Sequence, residues 1–142
     1  MIQWLLQAAE QEASDLHLVA GYPPVVRVHG ELRPLESQPL GPERTESCLR
    51  SVCSEILFER FQKEKNLDFA PVIDAESREV MIADLQDLNR QDSSNAQRFR
   101  ANYFVADNQV GGCFRVIPNR IPDMQWAGFP SNLAETITGF RN

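Results

Sequence analysis

Apolar residues recur at helical spacing from the start of the chain, where Trp4, Leu5, Ala8 and Ala9 mark one side of a predicted helix over the first dozen residues. Ala13-Ser14-Asp15 ends it, and the period changes: Leu16, Leu18 and Ala20 alternate with His17 and Val19, as in a half-buried strand. After the turn signal Gly21-Tyr22-Pro23-Pro24, Val26 and Val28, then Leu32 beyond His29-Gly30, predict two short strands joined tightly, because Gly30 supplies the positive φ a hairpin turn needs. A loop over Pro39 to Pro42 precedes a second helix, opened by Pro42 or Thr45, in which Leu49, Val52, Cys53, Ile56, Leu57 and Phe61 form one apolar stripe. It is expected to end near Lys63 to Asn66, with a strand through Leu67, Phe69 and Pro71.

The pattern then turns polar. Asp74 to Gln97 has one short apolar patch, Val80-Met81-Ile82, which reads as a strand or short helix between acidic connections. Arg98 to Ile117 is the clearest hairpin: two runs rich in aromatic and β-branched residues flank a turn-rich centre, and Pro118 closes it. A last short helix is expected from about Ser131 to Gly139. The fold class is therefore α+β, an antiparallel sheet of about five or six strands with helices packed on it. At 142 residues the chain suits one domain with a core and a tail.

Composition narrows the function classes. Fourteen basic against 20 acidic residues give a net charge of −6, so the chain as a whole has no electrostatic reason to seek nucleic acid or anionic lipid, and any anion site must be local. The start, MIQWLL, lacks the basic leader and long apolar core of a signal peptide, and no run approaches the ~20 apolar residues of a bilayer span. Cys48, Cys53 and Cys113 have no zinc or thioredoxin spacing and read as free thiols in a reducing cytoplasm.

Motifs of the common enzymes are absent from the sequence: there is no GxxxxGK[ST], GxSxG, HExxH or CxxC. His17 and His29 could pair as ligands or as acid and base, but metal sites want three or more converging ligands, so a structural role is favoured and no metal is expected. The acids Asp84, Asp87 and Asp92 lack the glycine and terminal Glu of a calcium loop and read as a solvated face. Trp126-Ala-Gly-Phe129 could expose apolar surface.

The arginines of the long hairpin stand out. Arg98 and Arg100 share one strand face while Phe99 takes the other, and with Asp107-Asn108 at the turn centre Arg100 falls opposite Arg115. Opposed like charges cost up to about 1 kcal/mol, which an anion between them would offset. The competing account pairs each arginine with a local acid such as Asp107 or Glu31.

Ala13-Ser-Asp-Leu-His-Leu18, Gly21-x-Pro-Pro24, Arg27-Val-x-Gly-Glu-Leu32, Leu67-Asp-Phe69, Arg98-Phe-Arg-x-Asn102 and Phe114-Arg-x-Ile-Pro118 together resemble the N-terminal domain of PilT-type ATPases, the type IV pilus retraction motors of the secretion ATPase superfamily. The resemblance covers nearly the whole chain. It implies a PAS-like N-terminal domain over 1–125, with a polar insertion over 73–97 where the family has a short connection. Residues 126–142 would lead toward a RecA-like ATPase core, the chain ending just before the Walker A strand. It further implies a homo-hexamer in the full-length protein, cytoplasmic and peripheral at the inner-membrane pilus machinery. The partners would be the RecA-like domains of the same and the neighbouring subunit.

On the same resemblance, Arg98, Arg100 and Arg115 are the candidate contacts to nucleotide phosphate, while Ser14, Asp15, His17 and Gly30 form a structural motif that organises the first strand. ATP and Mg2+ are implied for the full-length protein, and no cofactor or hydrolysis for this chain alone. The alternative is a free-standing PAS-like adaptor or sensor that binds a protein partner or small molecule.

Overall fold

The computed structural model describes residues 1–85 and 95–119. One antiparallel sheet organises it. Helix α1 (Ile2–Glu10) leads into β1 (Asp15–Val19), β2 (Val25–Val28) and β3 (Glu31–Pro34). Helices α2 (Pro42–Arg50) and α3 (Glu55–Glu64) follow, and then β4 (Asn66–Asp74), β5 (Val80–Ala83), β6 (Ala96–Ala106) and β7 (Gln109–Ile117). The strand order is β3-β2-β1-β7-β6-β4-β5.

The two-residue turns of the β2–β3 and β6–β7 hairpins have positive φ at both central residues, His29 and Gly30 in one and Asp107 and Asn108 in the other, as a loop matched to strand twist requires. The sheet has seven strands where five or six were expected, because Val80-Met81-Ile82 pairs with β4, Met81 opposite Val72.

The expected second helix is two. Ser54 caps α3, its hydroxyl accepting from the Leu57 N–H at 3.3 Å, and a serine so used cannot lie inside a continuous helix. The break resets the helical phase. Leu49, Val52 and Phe61 still reach the core, joined by Phe58, which lay outside the expected stripe, while Ile56, expected in it, is 80% exposed.

The three described helices cover one face of the sheet. Alternation sends Leu16, Leu18, Val26, Phe99, Ala101, Tyr103, Phe114, Leu67 and Phe69 to that face, where they meet Trp4, Leu5, Leu49, Phe58 and Phe61. Tyr103 sits at the centre. Its ring makes edge contacts with Phe61, Phe69 and Phe114, and its buried hydroxyl donates to the Leu49 carbonyl at 2.7 Å. Gly112, opposite Tyr103, leaves room for α2: a Cβ there would lie 2.6 Å from Leu49 Cδ2. The other face carries no described helix. Leu32 belongs to it, standing on the second strand of the expected hairpin, opposite Arg27 and exposed.

Candidate functional site

Strand pairing sets four side chains in a row across the open face. Arg27 on β2 is opposite Asp15 on β1, Asp15 is opposite Arg115 on β7, and Arg115 is opposite Arg100 on β6. Three guanidiniums thus line up with one carboxylate, which two of them approach.

The geometry fixes how far that carboxylate reaches. Asp15 Oδ1 is 3.5 Å from Arg115 Nε, and Oδ2 is 3.9 Å from Arg27 Nε. Ser14 anchors it, the hydroxyl donating to Oδ2 at 2.8 Å, while backbone bonds from Ser14 N to Arg27 O and from Val116 N to Ser14 O pin this corner between β2 and β7. Gly30 completes the corner by accepting from Arg27 Nη1 at 3.4 Å. The Asp15 side chain is 13% exposed and that of Arg115 73%, so the pair is a fixed acid with a loosely held, solvated base.

For Arg115 the acid is not a local one of the kind the competing account supposed. Glu31 pairs with Arg33 at 3.3 Å, and the acid beside Arg115 is Asp15, a hundred residues away in sequence. No ion pair reaches Arg100 among the described residues. An exposed ion pair contributes about 0–1 kcal/mol and an opposed pair of cations costs a similar amount, so folding stability does not account for the row. It offers an exposed, donor-rich surface suited to a multivalent anion.

Arg98 is on the same face as Arg100, one step along β6, opposite Ile117 and Val72. It flanks the row and is not a member of it. Arg27 and the shared Asp15 carboxylate were not among the expected anion contacts, because their place depends on β1 lying beside β7.

His17 and His29 do not converge: His17 is opposite Val25, four residues along β2 from His29 at the hairpin tip. His17 faces Cys113 on its other side, and its Nε2 is buried without a hydrogen-bond partner. Burial lowers its pKa below the ordinary 6.5, with the Asp15 charge opposing and that of Arg27 assisting. Beside it a cavity of about 260 Å³ is lined by Val19, Tyr22, Pro23, Val25 and Leu32, with Arg27 at its polar side. The thiols differ little in character. Burial pushes Cys53 up to about 11 and raises Cys113, so both stay protonated near neutrality. The expected linker 126–142, the helix from Ser131 and the Trp126 to Phe129 patch lie outside the described residues.

No family model matches the chain. Curated proteins do: the type IV pilus retraction ATPase PilT of Pseudomonas aeruginosa is 30% identical over 121 residues, which are 85% of this chain and 29% of the relative. The type IV pilus ATPase PilU of the same organism is 30% identical over 124 residues, 87% of this chain and 27% of the relative. A crystal structure of the pilus retraction motor PilT with bound ADP superposes with a TM-score of 0.64 at 29% identity, covering 95% of this chain and 34% of that one.

The chain matches the N-terminal region of PilT-type ATPases. It spans less than a third of the curated relatives. The DotB ATPase of Legionella pneumophila, with a TM-score of 0.67 at 19% identity, and that of Yersinia pseudotuberculosis, 0.70 at 17%, share the fold. The PilT-type assignment and the α+β fold agree with the expectation from sequence.

Proposed function

We propose that this chain is the nucleotide-contacting, subunit-coupling N-terminal domain of a hexameric type IV pilus retraction ATPase, working in the cytoplasm at the inner-membrane base of the pilus. The observation that carries the reading is the Arg100–Arg115 pair, held side by side on adjacent strands of an open face with one shared carboxylate nearby. Two guanidiniums presented this way suit a phosphate chain, since planar, permanently charged donors stabilise the charge that spreads over a transferred phosphoryl group.

Arg100 and Arg115 would contact the phosphates, and Arg98 would flank them. The remainder of the site falls to a RecA-like core, of this subunit or the next: this sequence holds no phosphate-cradling loop, and a few arginines supply part of a nucleotide site. ATP with Mg2+ supplies the phosphoryl chemistry when bound to that core. Motion between the arginine face and the core would pass each hydrolysis step to the neighbouring subunit.

The test is steady-state hydrolysis by a polypeptide that joins this domain to its ATPase core. Arg100→Ala lowers kcat by about tenfold or more if the arginine stabilises developing charge, while the thermal transition of the domain stays where it was. Equal rates in variant and parent would remove the assignment.

A further inference from the structure

Next to the arginine row the open face holds a cavity of about 260 Å³, at the end formed by β1, β2 and β3. Its lining is mostly apolar, from Val19, Pro23, Val25 and Leu32, and Arg27 belongs to both the cavity and the row. The volume is below the ~300–1,000 Å³ of pockets that enclose a whole drug-sized ligand, so it suits one flat ring system and not an entire nucleotide.

Two side chains bias the cavity chemically. Tyr22 is 65% exposed, yet its backbone is held, the N–H donating to the Val19 carbonyl at 3.1 Å and the carbonyl accepting from the Leu40 N–H at 3.0 Å. An exposed ring on a fixed backbone is a ready platform for stacking. His17 contributes Nε2, buried without a hydrogen-bond partner among the described residues. Such an atom is costly to leave unpaired, and a ligand edge that pairs with it offsets the cost. Burial keeps the imidazole neutral near pH 7, so its nitrogens divide into one donor and one acceptor, suited to the mixed edge of a heterocycle.

We infer that the cavity beside His17 receives the heterocyclic base of the nucleotide whose phosphates lie on Arg100 and Arg115, a conclusion that rests on the phosphate-contacting role of that pair. A flat apolar body with a polar edge, tethered to a polyanion, matches an apolar cavity tethered to a cationic row. The spacing agrees. Arg27 and Arg100 are three strand spacings apart, ~14 Å, which is about the length of a nucleoside triphosphate laid across the strands. The base then stacks on Tyr22 and pairs with His17, and the phosphate chain runs over β1 toward β7 and β6.

Amide NMR of the isotope-labelled chain, titrated with tripolyphosphate and separately with ATP at equal ionic strength, tests this. Tripolyphosphate moves the amides of Arg100 and Arg115; ATP moves these and also those of Val19, Tyr22 and Val25, together with the His17 ring signals. Stacking makes ATP bind about tenfold tighter than tripolyphosphate. Tyr22→Ala, at an exposed position, brings the ATP affinity down to the tripolyphosphate value with the urea midpoint unmoved.

ATP binding no tighter than tripolyphosphate, or an advantage that survives Tyr22→Ala, would overturn the inference and leave the phosphate reading standing. Cavity amides that shift with protein concentration alone would assign the cavity to a second copy of the chain and overturn it as well. Tripolyphosphate binding that is absent, or indifferent to Arg100→Gln, would remove the phosphate reading and the base site with it.

Discussion

Arg100 lies directly across the β6–β7 ladder from Arg115, and the acid that approaches Arg115 comes from the opposite side, from β1. Nothing in the row compensates Arg100. Removing its charge by Arg100→Gln therefore leaves urea stability of the chain unchanged or higher by up to about 1 kcal/mol, the reverse of what a structural ion pair would give. The same variant loses most of the thermal stabilisation that tripolyphosphate confers on the parent. A variant as strongly stabilised as the parent would place the anion elsewhere.

Asp15 has two effects of opposite sign. As the shared partner of Arg27 and Arg115 it holds the row together; as a negative charge beside an anion surface it competes with the ligand. Arg115 is held loosely, so the second effect dominates binding. Asp15→Asn should tighten tripolyphosphate affinity by several-fold at low salt while costing about 1 kcal/mol of stability or less, both differences shrinking as salt is raised. Titration calorimetry of the two proteins at two ionic strengths checks the sign, and weaker binding by the variant would make Asp15 a positioning group for Arg115.

The Arg100–Arg115 register was legible because it is local: both residues belong to one hairpin whose turn residues, Asp107 and Asn108, fix the pairing. The Asp15–Arg115 contact was not, since no local pattern says that β1 lies beside β7, a hundred residues later. The helix break failed for another reason. Apolar periodicity runs through Leu49 to Phe61 almost unbroken, and the capping choice of Ser54 is a matter of one hydrogen bond. Leu32 shows the limit of hydrophobicity as a guide to burial, being apolar in sequence yet placed on the face that no described helix covers.

The hydroxyl of Tyr103 and the missing side chain of Gly112 serve one contact, the seating of α2 on the sheet. Tyr103→Phe strands the buried Leu49 carbonyl and should cost about 1–3 kcal/mol. Gly112→Ala drives a methyl against Leu49 Cδ2 and the Tyr103 ring and should cost about 1–3 kcal/mol by overpacking. Combining Gly112→Ala with Leu49→Ala frees the space, so the double variant is less destabilised than the sum of the two singles. Strict additivity in urea denaturation would mean that α2 is seated by something else.

His17 makes stability depend on pH in a defined window. Burial of its ring outweighs the Asp15 charge and sets the folded pKa below the ordinary 6.5, so between those two values the unfolded chain binds a proton that the folded chain refuses. Stability contributed by the neutral ring is therefore present above 6.5 and declines as pH falls through that value toward the folded pKa. Carboxylates such as Asp74, whose pKa is lowered by the Ser77 and Glu76 amides, lose their contribution at more acid pH, so the two effects separate. Urea midpoints measured from about pH 7.5 down to about pH 5.5 should fall in the parent and flatten in His17→Gln, which keeps a polar side chain but cannot titrate. A parent curve already flat over that interval, or one that rises as pH falls, would mean that the imidazole takes up its proton in place and that Asp15, not burial, governs it.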